Sequence, residues 1–369
     1  MRILIAPDGF KGSLSAPEAA AAMRRGVVRA RPKADTRLCA LSDGGEGIAR
    51  VLRDALGGTT YEANVTGPLG APVRAEWTML GDGRTALIES AAAIGLSLLP
   101  AEHRVATATS TAGVGDLIVE ALSAGAKKIV VGLGGSATTD GGAGMAERLG
   151  VAFDGVGARL TGGGLEMARS IDVHALDPRL ASVELVGLTD VDNPLGGPHG
   201  AAQIYGPQKG ATRDEIEMLE RALAHLSRLA SDPGLVPGDG AAGGLGYGLR
   251  VFLGARLQSG IDFVLERTGF DARLEGCDLV LTGEGRLDAQ TARGKVVAGV
   301  ARRCRARGVP VMALAGSIGA GADSLYDLGL TAYFSLCDGP MLEHEAMKRA
   351  SELLEAATSN AVRAWSPSG

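Results

Sequence analysis

The sequence predicts an α/β protein whose sheets are mostly parallel and are covered by helices on both faces. Short, continuously apolar runs alternate along the chain with stretches of helical periodicity, and this alternation is typical of βαβ units. The chain has 369 residues, of which 46% are hydrophobic, and this length suits two domains of ordinary size. Its 56 glycines gather in polar loops that follow the apolar runs. These loops are therefore the candidate functional segments.

The N-terminal half contains the clearest local signals. Residues 2–6 form a short buried strand, and Ser15-Ala-Pro-Glu18 is a capping box that begins a helix extending to about Val28. Residues 72–79 and 85–89 alternate apolar and polar side chains around Gly81-Asp-Gly83, which predicts a β-hairpin. Apolar runs next to helical stretches predict further strands at residues 128–131, 184–188, 278–281, 309–314 and 332–336.

Helix signals in the second half complete the pattern. A capping box at Thr212 begins an amphipathic helix that extends to about Ala230, and further helices are predicted at residues 294–307 and about 340–362. The hairpin interrupts the βα alternation, and the pattern resumes beyond Arg286. We therefore predict one α/β domain built from both chain ends, residues 1–66 and 286–369. Residues 67–285 would be inserted as a second α/β domain.

Composition excludes several classes of protein. The net charge of −5 gives no general attraction for nucleic acid. No run approaches about 18 apolar residues, so no membrane span is expected. The four cysteines form no C-x-x-C pair, and the histidines lack metal-ligand spacing. No G-x-S-x-G motif is present, which argues against a serine hydrolase. A cytoplasmic enzyme acting on a small molecule is the resulting expectation.

Two loops near the N-terminus carry candidate ligand-binding side chains. The loop of residues 8–15 follows the first strand, and its Lys11 and Ser13 could hold a carboxylate or phosphate. It is equally consistent with an ordinary turn that exposes a lysine. In the loop of residues 42–47, Asp43 and Glu46 could bind Mg²⁺ or orient a hydroxyl. The alternative is a helix start at which Glu46 is favoured by the helix dipole.

The loop of residues 132–142 is the strongest phosphate candidate. Its glycines follow a strand and precede a helix, so backbone N–H groups can approach an anion. It is no Walker A motif, because G-x-x-x-x-G-K-[ST] is absent from the chain. Gly132, Gly134 and Ala137, with Asp154 further on, also imitate a dinucleotide-binding fingerprint. Close packing of helix on strand could account for some of these glycines.

Two later loops are rich in carboxylates. In residues 189–195, Asp190 and Asp192 point the same way if the preceding strand continues, and one could deprotonate a hydroxyl while the other holds Mg²⁺. An Asx turn before Pro194 is the alternative. Lys209, in a Gly/Pro loop, is either a charge partner or merely exposed. The strand-to-helix connection of residues 283–295 carries many polar side chains: Glu284, Arg286, Asp288, Gln290, Thr291 and Lys295.

Together these segments resemble the bacterial glycerate kinase family. The similar motifs are APDGFKGSLSA (residues 6–16), SDGGEG (42–47), GGSATTDGG (134–142), DVDNPL (190–195), YGPQKGA (205–211), GAAGGLG (240–246) and TGEGRLD (282–288) with Gln290. They occur in the family's order from Met1 to about Ala357. Gly9, Thr139 and Leu287 stand where the family usually has Ser, Asn and Ile.

The resemblance implies an ATP- and Mg²⁺-dependent kinase that phosphorylates D-glycerate, usually to 2-phosphoglycerate in the bacterial branch. It also implies two α/β domains with the active site in the cleft between them. One of these domains would be Rossmann-like and built from both chain ends. The alternatives left open are a NAD-dependent dehydrogenase of a small hydroxy acid, which would use Asp154, and a non-catalytic protein that binds a sugar acid. A homo-oligomer is also left open.

Each candidate residue has an expected role under this hypothesis. Asp190, as the base or hydroxyl-orienting group, and Lys11 are the expected catalytic residues. The expected substrate contacts are Asp8, Lys11, Ser13, Asp43, Glu46, Arg286 and Gln290. The expected nucleotide contacts are Gly134, Gly135, Ser136, Thr138, Asp140 and Lys295. The expected oxygen ligands of Mg²⁺ are Asp192, Glu284 and Asp288.

Overall fold

The structure is a computed structural model that describes residues 1–45 and 47–365. The chain divides by its contacts into two compact units. The first unit contains Met1–Asp43, Arg50–Ala55 and the chain from Ser259 onward, and the second contains Gly44–Ala49 and Leu56–Gln258. None of the described helices is long and apolar enough to cross a membrane.

The strands are β1 (Arg2–Ile5), β2 (Asp35–Leu38), β3 (Gly58–Thr66), β4 (Pro72–Leu80), β5 (Thr85–Glu89), β6 (Lys128–Gly132), β7 (Ala152–Asp154), β8 (Ser170–Asp172), β9 (Glu184–Leu188), β10 (Arg256–Gln258), β11 (Leu279–Leu287), β12 (Val311–Ile318) and β13 (Ala332–Ser335).

The α-helices are α1 (Ala16–Ala30), α2 (Ile48–Leu56), α3 (Ser90–Ile94), α4 (Ala112–Ser123), α5 (Ala143–Arg148), α6 (Ala201–Tyr205), α7 (Arg213–Leu229), α8 (Ala241–Leu253), α9 (Gly260–Arg267), α10 (Phe270–Leu274), α11 (Val296–Arg305), α12 (Ser324–Asp327), α13 (Glu343–Lys348) and α14 (Ala350–Ala364).

The sheet of the first unit runs in the order β2-β1-β11-β12-β13, and its neighbouring strands are parallel. From β1 the chain passes to β2 on one side, whereas β11 pairs with β1 on the other side. The strand order therefore reverses between β1 and β11, and open α/β sheets bind ligands at the carboxyl ends of strands at such a point. Apolar side chains of β1 and β11, including Ile3 and Leu281, pack in one core with α1 and α14.

Close packing of α1 against α14 joins the two ends of the chain. A Cβ atom at Gly26 of α1 would lie 2.4 Å from the carbonyl oxygen of Glu355 in α14. Only glycine at this position lets the two helices approach so closely. The first unit is thus built from segments that are far apart in the sequence.

The sheet of the second unit runs in the order β10-β9-β6-β5-β4-β3. The strands β5, β6, β9 and β10 run parallel to one another, whereas β4 runs antiparallel to both β3 and β5. Ile88, Ile129 and Val131 belong to a core that also includes Leu117 and Ile118 of α4. Because β6 and β9 are parallel neighbours, the loops that follow them, residues 132–142 and 189–195, lie at the same edge of this sheet.

The α/β class, the parallel strands and the predicted helix starts are confirmed. Helix α1 begins after a capping box at Ser15, and α7 begins after a capping box at Thr212. The predicted hairpin is the antiparallel pair β4 and β5. The terminal helix, predicted as one, is divided at Arg349 into α13 and α14.

The predicted domain borders at residues 66 and 286 differ from the division of the structure. Strand β3, which was not predicted, pairs with β4 along its whole length, so residues 58–66 belong with the second unit. Arg286 lies inside β11, where it pairs with Ser317 of β12. The second border instead follows Gln258, and α9 and α10 belong with the first unit.

Candidate active site

Three acidic side chains lie at the carboxyl ends of strands in the first unit. Asp8 follows β1, Asp43 follows β2, and Glu284 lies within β11. The backbone N–H of Asp8 donates to the carbonyl oxygen of Gly283 at 2.9 Å, which fixes the loop after β1 against β11. The prediction that residues 283–287 form a loop is wrong, because β11 continues to Leu287 by pairing with β12. Glu284 is therefore held on a rigid strand.

Two carboxyl groups of this cluster, those of Asp8 and Glu284, have raised pKa values. Burial raises the pKa of Glu284 to about 7, although Lys295, whose Nζ lies 3.9 Å from Oε2 of Glu284, opposes the rise. Burial and the charge of Asp43 raise the pKa of Asp8 well above its ordinary value, against a hydrogen bond from the N–H of Gly9 at 2.6 Å. Perturbed carboxyl groups at the end of a sheet are typical of a functional site.

Two buried polar atoms at or next to this cluster have no hydrogen-bond partner in the part of the chain that the structure describes. They are Oγ of Ser42 and Oε1 of Glu284. Buried polar atoms are nearly always hydrogen-bonded in folded proteins, so these two atoms indicate a place for a ligand or an ordered water. Ser42 was not among the predicted site residues. Its position before Asp43, at the start of a glycine-rich loop, was the available signal.

The remaining predicted residues of the first unit are more accessible. Lys11, Arg286 and Gln290 are exposed. The hydroxyl of Ser13 donates to the carbonyl oxygen of Phe10 at 2.9 Å, within its own loop. Glu46 lies outside the described residues.

The carboxylate of Asp288 is hydrogen-bonded to neighbouring residues of its own turn. Its carboxylate accepts hydrogen bonds from Nε of Arg286 at 3.1 Å and from the backbone N–H of Gln290 at 2.9 Å. These bonds hold the segment that follows β11, and the arginine competes with any cation for the carboxylate. Among the described residues, no group of three His, Cys, Asp or Glu side chains is arranged to hold a metal ion. Asp192 belongs to the second unit, whereas Glu284 and Asp288 belong to the first.

In the second unit, the glycine loop (residues 133–142) is held mainly by its own polar side chains. Oγ of Ser136 lies 2.7 Å from Oγ1 of Thr138 and accepts the N–H of Thr138 at 3.0 Å. Asp140 is fully buried, and its carboxylate accepts hydrogen bonds from the N–H and hydroxyl of Thr111 and from the N–H groups of Gly142 and Gly144. Asp140 therefore shapes the loop from inside, rather than facing a ligand as predicted.

The start of α8 lies directly behind the glycine loop. The N–H of Gly141 donates to the carbonyl oxygen of Gly243 at 3.1 Å. Gly243 has a φ of +70°, and a Cβ atom there would lie 1.8 Å from the carbonyl oxygen of Thr138. The same oxygen accepts a hydrogen bond from Nζ of Lys209 at 2.5 Å, and Lys209 is buried. The sequence had left Lys209 as either exposed or a charge partner.

The loop after β9 contains the predicted catalytic carboxylate. Strand β9 ends at Leu188, so the condition that would place Asp190 and Asp192 on one side of a strand is not met. Asp190 is half-buried and Asp192 is exposed. Asn193 anchors the turn, because its Nδ2 donates to the carbonyl oxygen of His199 at 2.8 Å and its Oδ1 accepts the hydroxyl of Tyr205 at 2.6 Å.

The dinucleotide-binding alternative finds no support in the topology. Asp154 ends β7, which pairs only with β8 in an antiparallel two-stranded sheet within the described chain. A dinucleotide fingerprint instead requires the acidic residue at the end of the next parallel strand of the same sheet.

Comparisons with known proteins find similarity to one family over nearly the whole chain. The family model described as "Glycerate kinase family" matches residues 3–366. The glycerate kinase of Bacillus subtilis (strain 168) is 48% identical over 96% of this chain and 95% of its own length. The glycerate 2-kinase of Escherichia coli (strain K12) is 44% identical over 91% of this chain and 90% of its own length.

A solved structure extends this similarity to the fold. It is a protein from Salmonella typhimurium LT2 whose name gives it as glycerate kinase 2. It superimposes with a TM-score of 0.85 at 42% sequence identity and covers 98% of this chain and 97% of its own.

Proposed function

The chain belongs to the glycerate kinase family, and from this membership we propose that it transfers a phosphoryl group from ATP to D-glycerate and forms 2-phosphoglycerate. The relative from Escherichia coli, whose name specifies a 2-kinase, supports the choice of product. The main observation that links this activity to particular residues is the acidic cluster at the carboxyl ends of β1, β2 and β11. Its buried oxygen atoms without partners among the described residues, and its raised carboxyl pKa values, match a site that binds a polar ligand.

Glycerate is a small anion that carries two hydroxyl groups, and the first unit offers groups for both kinds of contact. Lys11 is an exposed cation on the loop after β1 and is proposed to bind the carboxylate. Oγ of Ser42 and the carboxyl groups of Asp8 and Asp43 are proposed to orient the hydroxyls. The accessible Arg286 and Gln290 are proposed as further contacts.

The glycine loop is proposed to bind the phosphates of ATP. Its backbone at Gly134 and Gly135 lacks side chains that would obstruct an anion. The hydroxyl groups of Ser136 and Thr138 are buried and bonded to each other, so these two residues are proposed to hold the shape of the loop. Asp140 is proposed to act only through the shape of the loop, because its carboxylate is already hydrogen-bonded. Lys295 lies beside Glu284 and is proposed to balance charge there.

Glu284 is the residue that best fits a Mg²⁺ ligand. Its Oε1 is a buried carboxylate oxygen with no hydrogen-bond partner among the described residues, and Mg²⁺ prefers such oxygen ligands. Mg²⁺ bound there would neutralise charge on the phosphoryl group during transfer. Asp288 fits less well, since Arg286 already bonds its carboxylate.

Asp190 is proposed to accept the proton of the substrate hydroxyl or to orient it. It follows a buried strand closely and is half-buried, so its position is more restricted than that of the exposed Asp192. Phosphoryl transfer needs an aligned hydroxyl and little covalent help from the protein. One well-placed carboxylate is enough for this task.

The activity is tested by incubating the purified protein with MgATP and D-glycerate and measuring ADP release. We expect ADP release to depend on glycerate and to stop when EDTA is added. ³¹P spectra should show 2-phosphoglycerate. Equal ADP release with and without glycerate would contradict the proposed reaction, and a product that is only 3-phosphoglycerate would contradict the position of transfer. Binding of NADH, followed by fluorescence, tests the dehydrogenase alternative.

A further inference from the structure

Lys209 is a buried cation that contacts the glycine loop from behind. Its side chain is 2% exposed, and Nζ donates to the carbonyl oxygen of Thr138 at 2.5 Å. Gly243 leaves the space for this contact, because a Cβ atom there would lie 2.8 Å from Nζ and 1.8 Å from the Thr138 oxygen. The contact therefore depends on the left-handed backbone at the start of α8.

The hydrogen bonds of Lys209 are incomplete. An ammonium group has three N–H donors, and the carbonyl of Thr138 is its only acceptor among the residues that the structure describes. The charged group that acts on it is the buried Asp140, whose carboxylate is itself engaged by Thr111 and the loop. Burying a cation with so few partners is costly.

A neutral donor would satisfy the Thr138 carbonyl without that cost. A backbone N–H or an amide side chain could make the same hydrogen bond. What a lysine adds is positive charge directly behind a loop whose other face is proposed to receive phosphates. Asp140 offsets part of the cost of burying this charge, and an anion on the loop would offset more of it.

We propose that Lys209 is a positioning residue: it holds the glycine loop through the Thr138 carbonyl and supplies positive charge to that loop when an anion occupies it. This inference rests on the proposed function, since the anion is the phosphate chain of ATP or ADP. Lys209 acts through the loop, and the carboxylates of the first unit have no part in it.

Proton binding follows from this role. Burial lowers the pKa of Lys209 to about 7, against the opposing charge of Asp140. A bound anion stabilises the charged form and raises this pKa again. Above pH 7, anion binding must therefore take up a proton, and the affinity for the anion must fall as the pH rises.

The test is calorimetric titration of the full chain with MgADP at pH 8, in two buffers that differ in heat of ionisation. At this pH the phosphates of ADP are fully ionised, whereas Lys209 is mostly neutral in the free protein. We expect the wild type to take up a large fraction of one proton per ADP. Lys209→Met should lose this uptake and bind ADP about tenfold more weakly, as for a lost hydrogen bond to a charged group.

Two further variants keep the inference falsifiable. Lys127→Met, which removes an exposed lysine of the same unit, should retain the uptake. Lys209→Arg keeps a permanent charge and should bind ADP without proton uptake, and it serves if the methionine variant does not fold. Unchanged uptake in either Lys209 variant would overturn the inference. A wild type that lacks kinase activity but shows Lys209-dependent uptake would overturn only the proposed function.

Discussion

The strand ends of the first unit leave carboxyl groups buried beside one another, whereas the glycine loop of the second unit encloses its carboxylate in hydrogen bonds. Burial raises the pKa of both Glu284 and Asp140. Glu284, however, keeps a buried oxygen with no hydrogen-bond partner among the described residues, while Asp140 is bonded by Thr111, Gly142 and Gly144. The carboxyl groups of the first region therefore have few partners that would stabilise a negative charge. In the second region, hydrogen bonds fix the shape of the backbone. We infer that the first region recognises ligands by charge and the second by close approach of the backbone.

The largest effect on activity is expected at Asp190, which would give the second unit a catalytic base in addition to its binding loop. Asp190→Asn keeps the shape and removes the charge, so kcat should fall ~10²-fold or more, as for a lost general base. Steady-state kinetics measures kcat, and calorimetry should show that ADP and D-glycerate still bind. Asp154→Asn, an exposed change in the same unit, is the control. A near-normal kcat for Asp190→Asn would move the base to Asp8 or Asp43 in the first unit.

The next effect tests the raised pKa of a buried carboxyl group in the first unit. The folded pKa of Glu284 lies above its ordinary value, from 4.5 to about 7, because of burial. The unfolded chain ionises first as the pH rises, so the wild type loses stability between these two pH values. The loss is up to about 3 kcal/mol at about 1.4 kcal/mol per pKa unit.

Glu284→Gln lacks this titration. In urea unfolding with EDTA present, its stability relative to the wild type should therefore be greater at pH 8 than at pH 5. Glu275→Gln, an exposed change in the same unit, should show no such trend. A constant difference between Glu284→Gln and the wild type at both pH values would mean that Glu284 is ionised throughout.

A smaller effect is expected at Lys11, which tests substrate recognition by charge. Lys11→Ala should raise the KM for D-glycerate about tenfold, as for a lost hydrogen bond to a charged group, with little change in the KM for ATP. Steady-state kinetics with each substrate varied in turn separates the two values. Lys33→Ala removes another exposed lysine of the first unit and should change neither. Equal increases in both KM values would remove Lys11 from the glycerate site.

The smallest effect tests recognition by shape. Gly135 and Gly125 have φ values of +70° and +85°, so alanine at either position should cost about 1 kcal/mol in urea unfolding. Gly135 lies in the glycine loop, whereas Gly125 has open space around its Cα. We expect only Gly135→Ala to weaken ADP binding, about fivefold, which corresponds to about 1 kcal/mol. Equal ADP affinity of the two variants would place the phosphates elsewhere.

Part of the cluster at the ends of β1, β2 and β11 could be predicted, because Asp8 and Glu284 closely follow apolar runs. The carboxyl ends of parallel strands share one edge of a sheet, so Asp8 and Glu284, which follow predicted strands, were expected to be functional. Asp43 was predicted only from its glycine-rich loop, because the short and mostly accessible strand β2 was not predicted. The extent of β11 could not be predicted. Gly283 and Gly285 suggest a loop, and only the pairing with β12 keeps this segment extended.

Lys209 and β3 were missed for different physical reasons. A lysine between glycine and proline residues suggests an exposed loop, and its burial depends on the backbone of Gly243, which is distant in the sequence. Strand β3 is an edge strand with mostly accessible side chains. It therefore lacks the apolar pattern that identifies a buried strand, and its pairing with β4 defines it.

The position of β1 between β2 and β11 determines when each unit can be completed during synthesis. The partner of Ile3 in β11 is Leu279, and a ribosome that adds about 5–20 residues per second reaches it roughly 15–55 s later. The strands of the second unit lie within residues 58–258 and emerge before β11. Strand β1 therefore keeps the edge that faces β11 unpaired while the middle of the chain can already fold. Chains that terminate early would leave this edge exposed to aggregation.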